Sequence, residues 1–160
     1  KVARFNNCAV KGFEKKVGSR TDIWITCGDR DARHFHAIGA KELLFSVPRD
    51  FKNFTQGFWR KAKGMPKDSV PWSIFSKVKK EVGSHPSSGA LAAAWYLDHG
   101  CKVELHGFAH FPAGDHHYWA EGRPGRGYHD GAKERAGVGN RRADSRRSYQ
   151  IGRASGCERG

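Results

Sequence analysis

Short apolar runs alternate with longer amphipathic segments through the first hundred residues, and this alternation constrains the fold more than any other feature. The runs TDIWITC and KELLFSV have the length and apolar content of strands, and polar or turn-forming residues bound them. The segments after them have helical spacing of their apolar residues instead. A chain of 160 residues is long enough to bury one core. The pattern therefore predicts a single α/β domain built around a sheet.

Two segments between positions 50 and 82 have apolar residues at helical spacing. Asp50 is a candidate N-cap for the first helix. Its apolar face would consist of Phe51, Phe54 and Phe58. The second helix would have the same kind of face, formed by Trp72, Phe75, Val78 and Val82. We interpret these aromatic side chains as core rather than as a platform for ligands, because a buried stripe already explains their spacing.

A turn of small residues, Ser87-Ser88-Gly89, runs directly into the apolar stretch Ala90–Leu97 and predicts the start of another helix. The helix should end at His99-Gly100, where glycine accepts the left-handed conformation. Unpaired first-turn N–H groups and serine hydroxyls make such a helix end an anion site. Ser87, Ser88 and Gly89 are therefore candidates to hold a phosphate. The alternative is that the serines only cap a core helix.

Two groups of histidines follow the segment CKVELHGF, which predicts a further strand. His117 lies in the sequence HHYW, after a loop that contains proline and glycine, and loops that follow strands carry the site residues of open α/β sheets. His129 has Glu134 five residues on, a spacing that permits a pair on a helix without requiring one. Histidine exchanges protons near neutral pH, so two of them in one cleft are candidates for base and acid.

Taken in order, these segments resemble the sialyltransferases of glycosyltransferase family 29, which carry four motifs in this sequence. The opening VARFNNCAVKGFEKKVGSRTDIWI resembles the large motif through its Arg-Phe-Asn and Val-Gly-Ser-Arg-Thr elements, and Pro86–Phe108 resembles the small motif. HHYW resembles the third motif and HDGAKE the very small one. The last two are most similar to the subgroup that sialylates the 3-hydroxyl of galactose. The resemblance implies a Rossmann-like sheet with flanking helices, in a variant of the GT-A glycosyltransferase fold, over residues 1–136.

The resemblance also implies a role for each matching residue. The donor substrate would be CMP-sialic acid and the acceptor a galactose-terminated glycan. Asn6 and Tyr118 would contact the donor, and Ser87, Ser88 and Gly89 would hold its phosphate and nucleotide. His129 would be the general base that deprotonates the acceptor hydroxyl, and His117 would stabilise the leaving phosphate. Such an inverting displacement depends on positioning and electrostatics rather than on a covalent intermediate.

Several features of the family's pattern are expected outside this sequence or are altered within it. In the family, a membrane anchor, a stem and the start of the large motif would precede Lys1, and a eukaryotic member would be a type II membrane protein of the Golgi lumen. Cys101 occupies the place of the small-motif cysteine, whose family partner at the start of the large motif is not in this sequence. Whether Cys101 pairs with one of the other three cysteines stays open. Ala120 stands where the third motif usually has an acidic or amide residue.

A possible metal motif, Asp29-Arg30-Asp31, follows the first predicted strand. A carboxylate pair of this kind binds Mg²⁺ or Mn²⁺ in many glycosyltransferases that use diphosphate donors. A CMP-sugar leaves with a single phosphate, which helix N–H groups and a histidine can neutralise, and the resembling family needs no metal. We therefore expect a polar loop here, with no metal and no cofactor.

The net charge of +13 raises one rival interpretation, that of a nucleic-acid-binding protein. Residues 137–160 are rich in Arg, Gly and Ser, a composition that predicts a disordered tail. A basic chain of this kind could bind nucleic acid through phosphate contacts. However, the segment from Ala120 onward, with ten Lys/Arg and five Asp/Glu, supplies only +5 of the charge, and no aromatic-basic recognition motif appears. We therefore expect no nucleic-acid partner. The second rival is an inactive or truncated sialyltransferase-like protein.

Overall fold

The structure, a computed structural model, describes residues 1–106. Its elements in chain order are β1 (Ala3–Phe5), α1 (Glu14–Val17), β2 (Ile23–Thr26), α2 (Arg33–Ala37), β3 (Glu42–Phe45), α3 (Asn53–Lys61), β4 (Lys67–Ser69), α4 (Trp72–Val82) and α5 (Ser88–Asp98). The strands form one sheet in the order β1-β2-β3-β4. Each neighbouring pair is parallel. The predicted α/β arrangement is therefore confirmed.

The two predicted strands are the central strands of this sheet. TDIWITC contains β2 and KELLFSV contains β3, and Ile25 of β2 is paired with Leu44 of β3. All four residues of β2 are buried. Strands covered on both faces are continuous apolar runs, because side chains on either side must avoid water. That requirement explains why these two strands were recognisable from sequence.

Helices cover both faces of the sheet and give a three-layer architecture. On one face, α4 and α5 pack against Ile23, Ile25 and Leu44. On the other face, Phe35 of α2 and Phe58 of α3 pack against side chains of β2 and β3. Successive residues of a strand point to opposite faces, so each central strand contributes to both cores.

The helix predicted after Asp50 begins later than expected. Its N-cap position is Lys52, and the Asp50 carboxylate instead accepts a hydrogen bond from the Trp72 indole at 3.0 Å. Phe51 precedes the helix and contacts the Trp72 and Phe75 rings. The expected buried stripe is thus only partly correct, since Phe58 is buried while Phe54 is 43% exposed.

In α4 the predicted apolar face is buried except at its first residue. The buried members are Phe75, Val78 and Val82, whereas Trp72 is 46% exposed. Trp72 is the first residue of the helix, and its ring contacts the Phe51 and Phe75 rings while its other side stays exposed. The interpretation of every aromatic residue here as core is therefore wrong for Trp72 and Phe54.

The helix predicted from the Ser87-Ser88-Gly89 turn is present. Ser87 is its N-cap, its last residue is Asp98, and Gly100 has a φ of 73°, as expected for a glycine after a helix. The strand predicted next is not observed in its described part, residues 101–106. Apolar and polar residues alternate there, but a strand also needs a hydrogen-bonded partner, and these residues join no ladder.

Several predicted features lie outside the described residues. They are His117, Tyr118, Ala120 and His129, the domain boundary at residue 136 and the tail from residue 137 to 160. Within residues 1–106, no helix combines the length and the apolar character needed to cross a lipid bilayer.

Candidate functional site

The carboxyl ends of the four strands lie at one edge of the sheet, because the strands are parallel. Asn6, Cys27, Ser46 and Val70 are the residues that follow β1, β2, β3 and β4. Open α/β sheets bind ligands in the crevice outside this edge. The carboxyl edge of the sheet is therefore the candidate site.

Asn6 occupies a strained backbone position where β1 ends. Its φ is 48°, a left-handed value that Asn adopts more readily than most residues. Its backbone N–H donates to Ile25 O at 2.8 Å, and its carbonyl accepts from the Trp24 indole at 2.8 Å. Its side-chain oxygen Oδ1 is buried and has no hydrogen-bond partner within residues 1–106. A buried acceptor without a partner is costly, so this atom is suited to a donor group of a ligand or a water molecule.

A buried arginine joins the two halves of the opening motif. Arg4 is 9% exposed, and its guanidinium donates to the carbonyls of Val17 at 2.6 Å and Gly18 at 2.9 Å. It also donates to Arg20 O at 3.1 Å and Thr21 Oγ1 at 3.0 Å. We call residues 4–6 together with the loop 17–21 the opening segment. Because its contacts are to the protein itself, Arg4 holds Asn6 and this loop in place rather than binding a ligand.

The N-terminus of α5 is attached to the same edge of the sheet. Ser87 Oγ accepts from Ala90 N at 3.2 Å, which is the expected capping bond. Ser46 Oγ, directly after β3, donates to Ser88 Oγ at 2.9 Å. Two hydroxyls that share one hydrogen bond leave one proton for a further acceptor. We call residues Ser87–Gly89 the α5 end; a helix N-terminus is the kind of site that binds anions in other proteins.

Packing fixes the α5 end against the sheet. The residues from Gly89 to Ala94 are all buried, and Leu91 is 1% exposed. The helix contacts α4 and β2. A helix that is apolar on all sides is held within the core, so packing fixes the position of its first turn at the carboxyl edge. The prediction that the serines begin a core helix is confirmed, and the phosphate role stays a prediction.

The loop after β2 allows a close approach between the strand and α3. Gly28 has a φ of 88°, and a Cβ there would lie 3.1 Å from the Thr55 Cα and 3.1 Å from a Phe45 ring carbon. Thr55 Oγ1 donates to Cys27 O at 2.8 Å. Only glycine therefore fits this position without a shift of its neighbours.

The Asp29-Arg30-Asp31 motif forms a polar loop in which arginines engage both carboxylates. Asp29 Oδ2 is 2.8 Å from Arg30 Nη1, and Asp31 Oδ2 accepts from Arg33 Nε at 2.8 Å. The hydrogen bonds from Arg33 lower the pKa of Asp31 to about 2. In the part of the chain that the structure describes, no three His, Cys, Asp or Glu side chains are grouped to hold a metal ion.

The Cys8 thiol contacts the His34 imidazole, and this contact could not be predicted from the sequence. Cys8 Sγ is 3.7 Å from His34 Nε2, and the His34 ring contacts the Trp24 ring edge to face. Burial raises the pKa of Cys8 to about 11 and lowers the pKa of His34. Both groups are therefore held neutral at pH 7, which suits a structural contact rather than an activated thiolate. No sequence signal links positions 8 and 34.

Two of the three cysteines that could form a disulfide with Cys101 are excluded. Cys8 and Cys27 are both free, so neither is a disulfide partner of Cys101. Burial raises the pKa of Cys27 to about 11, and its thiol donates to Asp29 Oδ1 at 3.0 Å.

Asn6 and the α5 end lie at the same edge of the sheet, two strands apart, while the predicted catalytic residues lie beyond residue 106. His117, Tyr118 and His129 are therefore not part of the geometry given above. No protein-family model, no curated protein and no solved structure matches this chain. The family resemblance of the motifs therefore stays a prediction.

Proposed function

We propose that this protein is a sialyltransferase that transfers sialic acid from CMP-sialic acid to a galactose-terminated glycan. The observation that supports this most directly is that two motif segments far apart in sequence lie at the same edge of a parallel sheet. Asn6 directly follows β1, and Ser88 is hydrogen-bonded to Ser46 directly after β3. The carboxyl edge is where open α/β sheets bind nucleotides.

In this proposal the two segments hold different parts of the donor. The unpartnered Asn6 Oδ1 accepts a hydrogen bond from the cytidine part. The phosphate bonds to first-turn N–H groups of the α5 end and to the hydroxyl proton that the Ser46–Ser88 pair leaves available. A helix N-terminus stabilises one phosphate without a metal ion, so the proposed reaction is metal-independent.

The proposed chemical step is a single inverting displacement. The acceptor hydroxyl oxygen attacks the anomeric carbon of sialic acid, and His129 takes the hydroxyl proton. The bond between that carbon and the phosphate oxygen breaks, and its electron pair leaves with CMP. His117 donates a hydrogen bond to the leaving phosphate, and Tyr118 contacts the donor. General-base catalysis of this kind contributes about 10²–10⁴-fold to the rate.

A transfer assay with CMP-sialic acid and lactose tests the proposal. We expect the His129→Ala variant to lose about 10²–10⁴-fold in rate, while the matched control His36→Ala, an exposed histidine of α2, keeps the wild-type rate. Activity should be unchanged by EDTA. Loss of activity with EDTA would refute the metal-free mechanism, and full activity of His129→Ala would refute the base.

The alternatives give different results in two further measurements. An inactive sialyltransferase-like protein would bind CMP in a titration without turning over the donor. A nucleic-acid-binding protein would bind oligonucleotides with strong salt dependence, and would do so better than it binds CMP. Comparing full-length protein with a variant that lacks residues 137–160 separates binding by the tail from binding by the body.

A further inference from the structure

A basic groove lies between the loop after β3 and one face of α3. Arg49 and Asp50 of the loop and Gln56, Trp59 and Arg60 of the helix line a space of about 410 Å³. Trp59 and Arg60 come three and four positions after Gln56, so both lie next to Gln56 on the helix surface. The volume falls within the range of small-ligand sites. The sequence reasoning assigned no role to any of these five residues except Asp50.

Two arginines of the groove are available for an anion. Arg49 and Arg60 are exposed, and neither forms an ion pair with any residue in 1–106. The guanidinium group binds carboxylates through two parallel hydrogen bonds. The cationic side chains therefore favour a ligand with an anionic group.

The remaining residues of the groove point to a ligand that also carries hydroxyls and a ring. Trp59 is half-buried, packs against Phe45 at 5.0 Å between ring centroids, and has Lys67 Nζ 5.2 Å from its ring. These contacts fix the position of the indole, which forms one side of the groove. Asp50 uses Oδ1 to accept from Trp72, and its other oxygen makes no hydrogen bond within the described residues. A carboxylate oxygen and the Gln56 amide are partners for sugar hydroxyls.

We propose that this groove binds a carboxylated sugar unit of a glycan, a sialic or uronic acid. The carboxylate bonds to Arg49 and Arg60, the ring packs on Trp59, and the hydroxyls bond to Asp50 and Gln56. A nucleic-acid backbone fits less well, because its consecutive phosphates would place at least one charge beside Asp50, whereas a single carboxylate can be held by the two arginines and leave the sugar hydroxyls for Asp50. Arg49 is three residues from Ser46, the residue that directly follows β3 and is hydrogen-bonded to Ser88 of the α5 end.

The inference deepens the proposed function and rests on it for one point, namely that the carboxylated sugar belongs to the acceptor rather than to the donor. Binding itself is independent of catalysis. An acceptor glycan that carries an acidic sugar would then be preferred over a neutral one.

Ligand titrations followed by tryptophan fluorescence, with saturation-transfer NMR as a second readout, test the proposal. The full chain is titrated with N-acetylneuraminic acid, glucuronic acid, neutral galactose, CMP and an oligonucleotide. We expect both acidic sugars to bind and galactose to bind at least about tenfold more weakly, because it lacks the charge-assisted bonds. Arg60→Gln and Arg49→Gln should each weaken acidic-sugar binding by about tenfold and leave CMP binding unchanged.

Lys77→Gln is the matched control, since Lys77 is an exposed cation of α4, on the opposite face of the sheet. It should bind acidic sugars like the wild type, and circular dichroism should show the same fold for all variants. Equal binding of galactose and acidic sugars would overturn the proposal. So would acidic-sugar binding that Arg60→Gln does not weaken, or oligonucleotide binding that this substitution abolishes while acidic sugars do not bind at all.

The two proposals fail in distinguishable ways. If the acidic sugars bind and Arg60→Gln weakens them while neither CMP binding nor transfer occurs, the groove stands and the sialyltransferase proposal falls. If CMP binds and transfer occurs without acidic-sugar binding, the groove proposal falls alone. Donor and acceptor are separated by transfer to a neutral acceptor: an Arg60→Gln variant that keeps this activity and loses its preference for an acidic acceptor supports the acceptor assignment.

Discussion

The opening segment and the α5 end both lie at the carboxyl edge of the sheet, yet opposite kinds of interaction hold them there. Arg4 fixes the opening segment through hydrogen bonds to backbone carbonyls and to Thr21. The α5 end is fixed by apolar packing of the helix behind it, with one hydroxyl contact to Ser46. The first arrangement depends on one polar side chain, whereas the second is distributed over many apolar ones.

The packing of α5 should give the largest effect when disturbed. Leu91→Ala removes a side chain that is 1% exposed, and we expect the free energy of unfolding to fall by about 3 kcal/mol because a cavity remains. Urea denaturation measures the change. Leu97→Ala, at a half-buried position of the same helix, is the control and should cost less. Equal losses for the two variants would show that packing at the start of α5 is not decisive.

The polar anchor of the opening segment should give the next largest effect. Arg4→Met keeps much of the buried volume but leaves several carbonyls without donors, so we expect a loss of about 2 kcal/mol. Lys16→Met, at an exposed position of α1, should change stability by less than about 0.5 kcal/mol. Denaturation of both variants distinguishes a buried network from a general effect of charge, and equal losses would contradict the comparison.

The hydroxyl contact between β3 and α5 should contribute less than either anchor. Ser46→Ala and Ser88→Ala should each cost about 1 kcal/mol, and the double variant should cost less than their sum because they lose the same hydrogen bond. Ser76→Ala, at an exposed position of α4, serves as control. Strict additivity would mean that the two hydroxyls do not interact.

The smallest expected effect concerns the reactivity of the thiols of Cys8 and Cys27. Burial raises the pKa of Cys8 and Cys27 to about 11, so both should react slowly with iodoacetamide at pH 8 and faster as pH approaches 11. Because the unfolded thiols lose their protons first, near pH 8.5, the contribution of each thiol to the free energy of unfolding is complete below that pH. It is lost as the pH rises to about 11.

Peptide mass spectrometry measures how fast iodoacetamide labels each cysteine. Urea-unfolded protein is the control, and equal rates in folded and unfolded protein at pH 8 would contradict the prediction.

The contrast between the two segments also explains which elements sequence could predict. β2, β3 and α5 were recognisable because full burial requires uninterrupted apolar residues. The start of α3 was not, since the Asp50 carboxylate bonds to Trp72, a residue 22 positions away. The segment after α5 alternates like a strand, but residues 101–106 pair with no other strand.

In the candidate site too, local interactions could be predicted from the sequence and contacts between distant residues could not. The small residues at Ser87–Gly89 predicted a helix N-terminus because capping is a local interaction, and Ser87 does cap Ala90. The contacts of Arg4 with the 17–21 loop, of Ser46 with Ser88 and of Cys8 with His34 join residues that no local pattern connects. The groove at Arg49 and Arg60 likewise forms only when the loop after β3 meets α3.

The sequence by itself determined the α/β class, the central strands and the helix that begins at Ser88, because periodicity, burial and capping act between neighbours in the chain. Only the tertiary structure decided that Asn6 and the α5 end share one edge, and that Arg4 and Ser46 are their anchors. The physical reason is that parallel pairing brings the ends of distant strands together, and no residue's local preference records which partner it will meet.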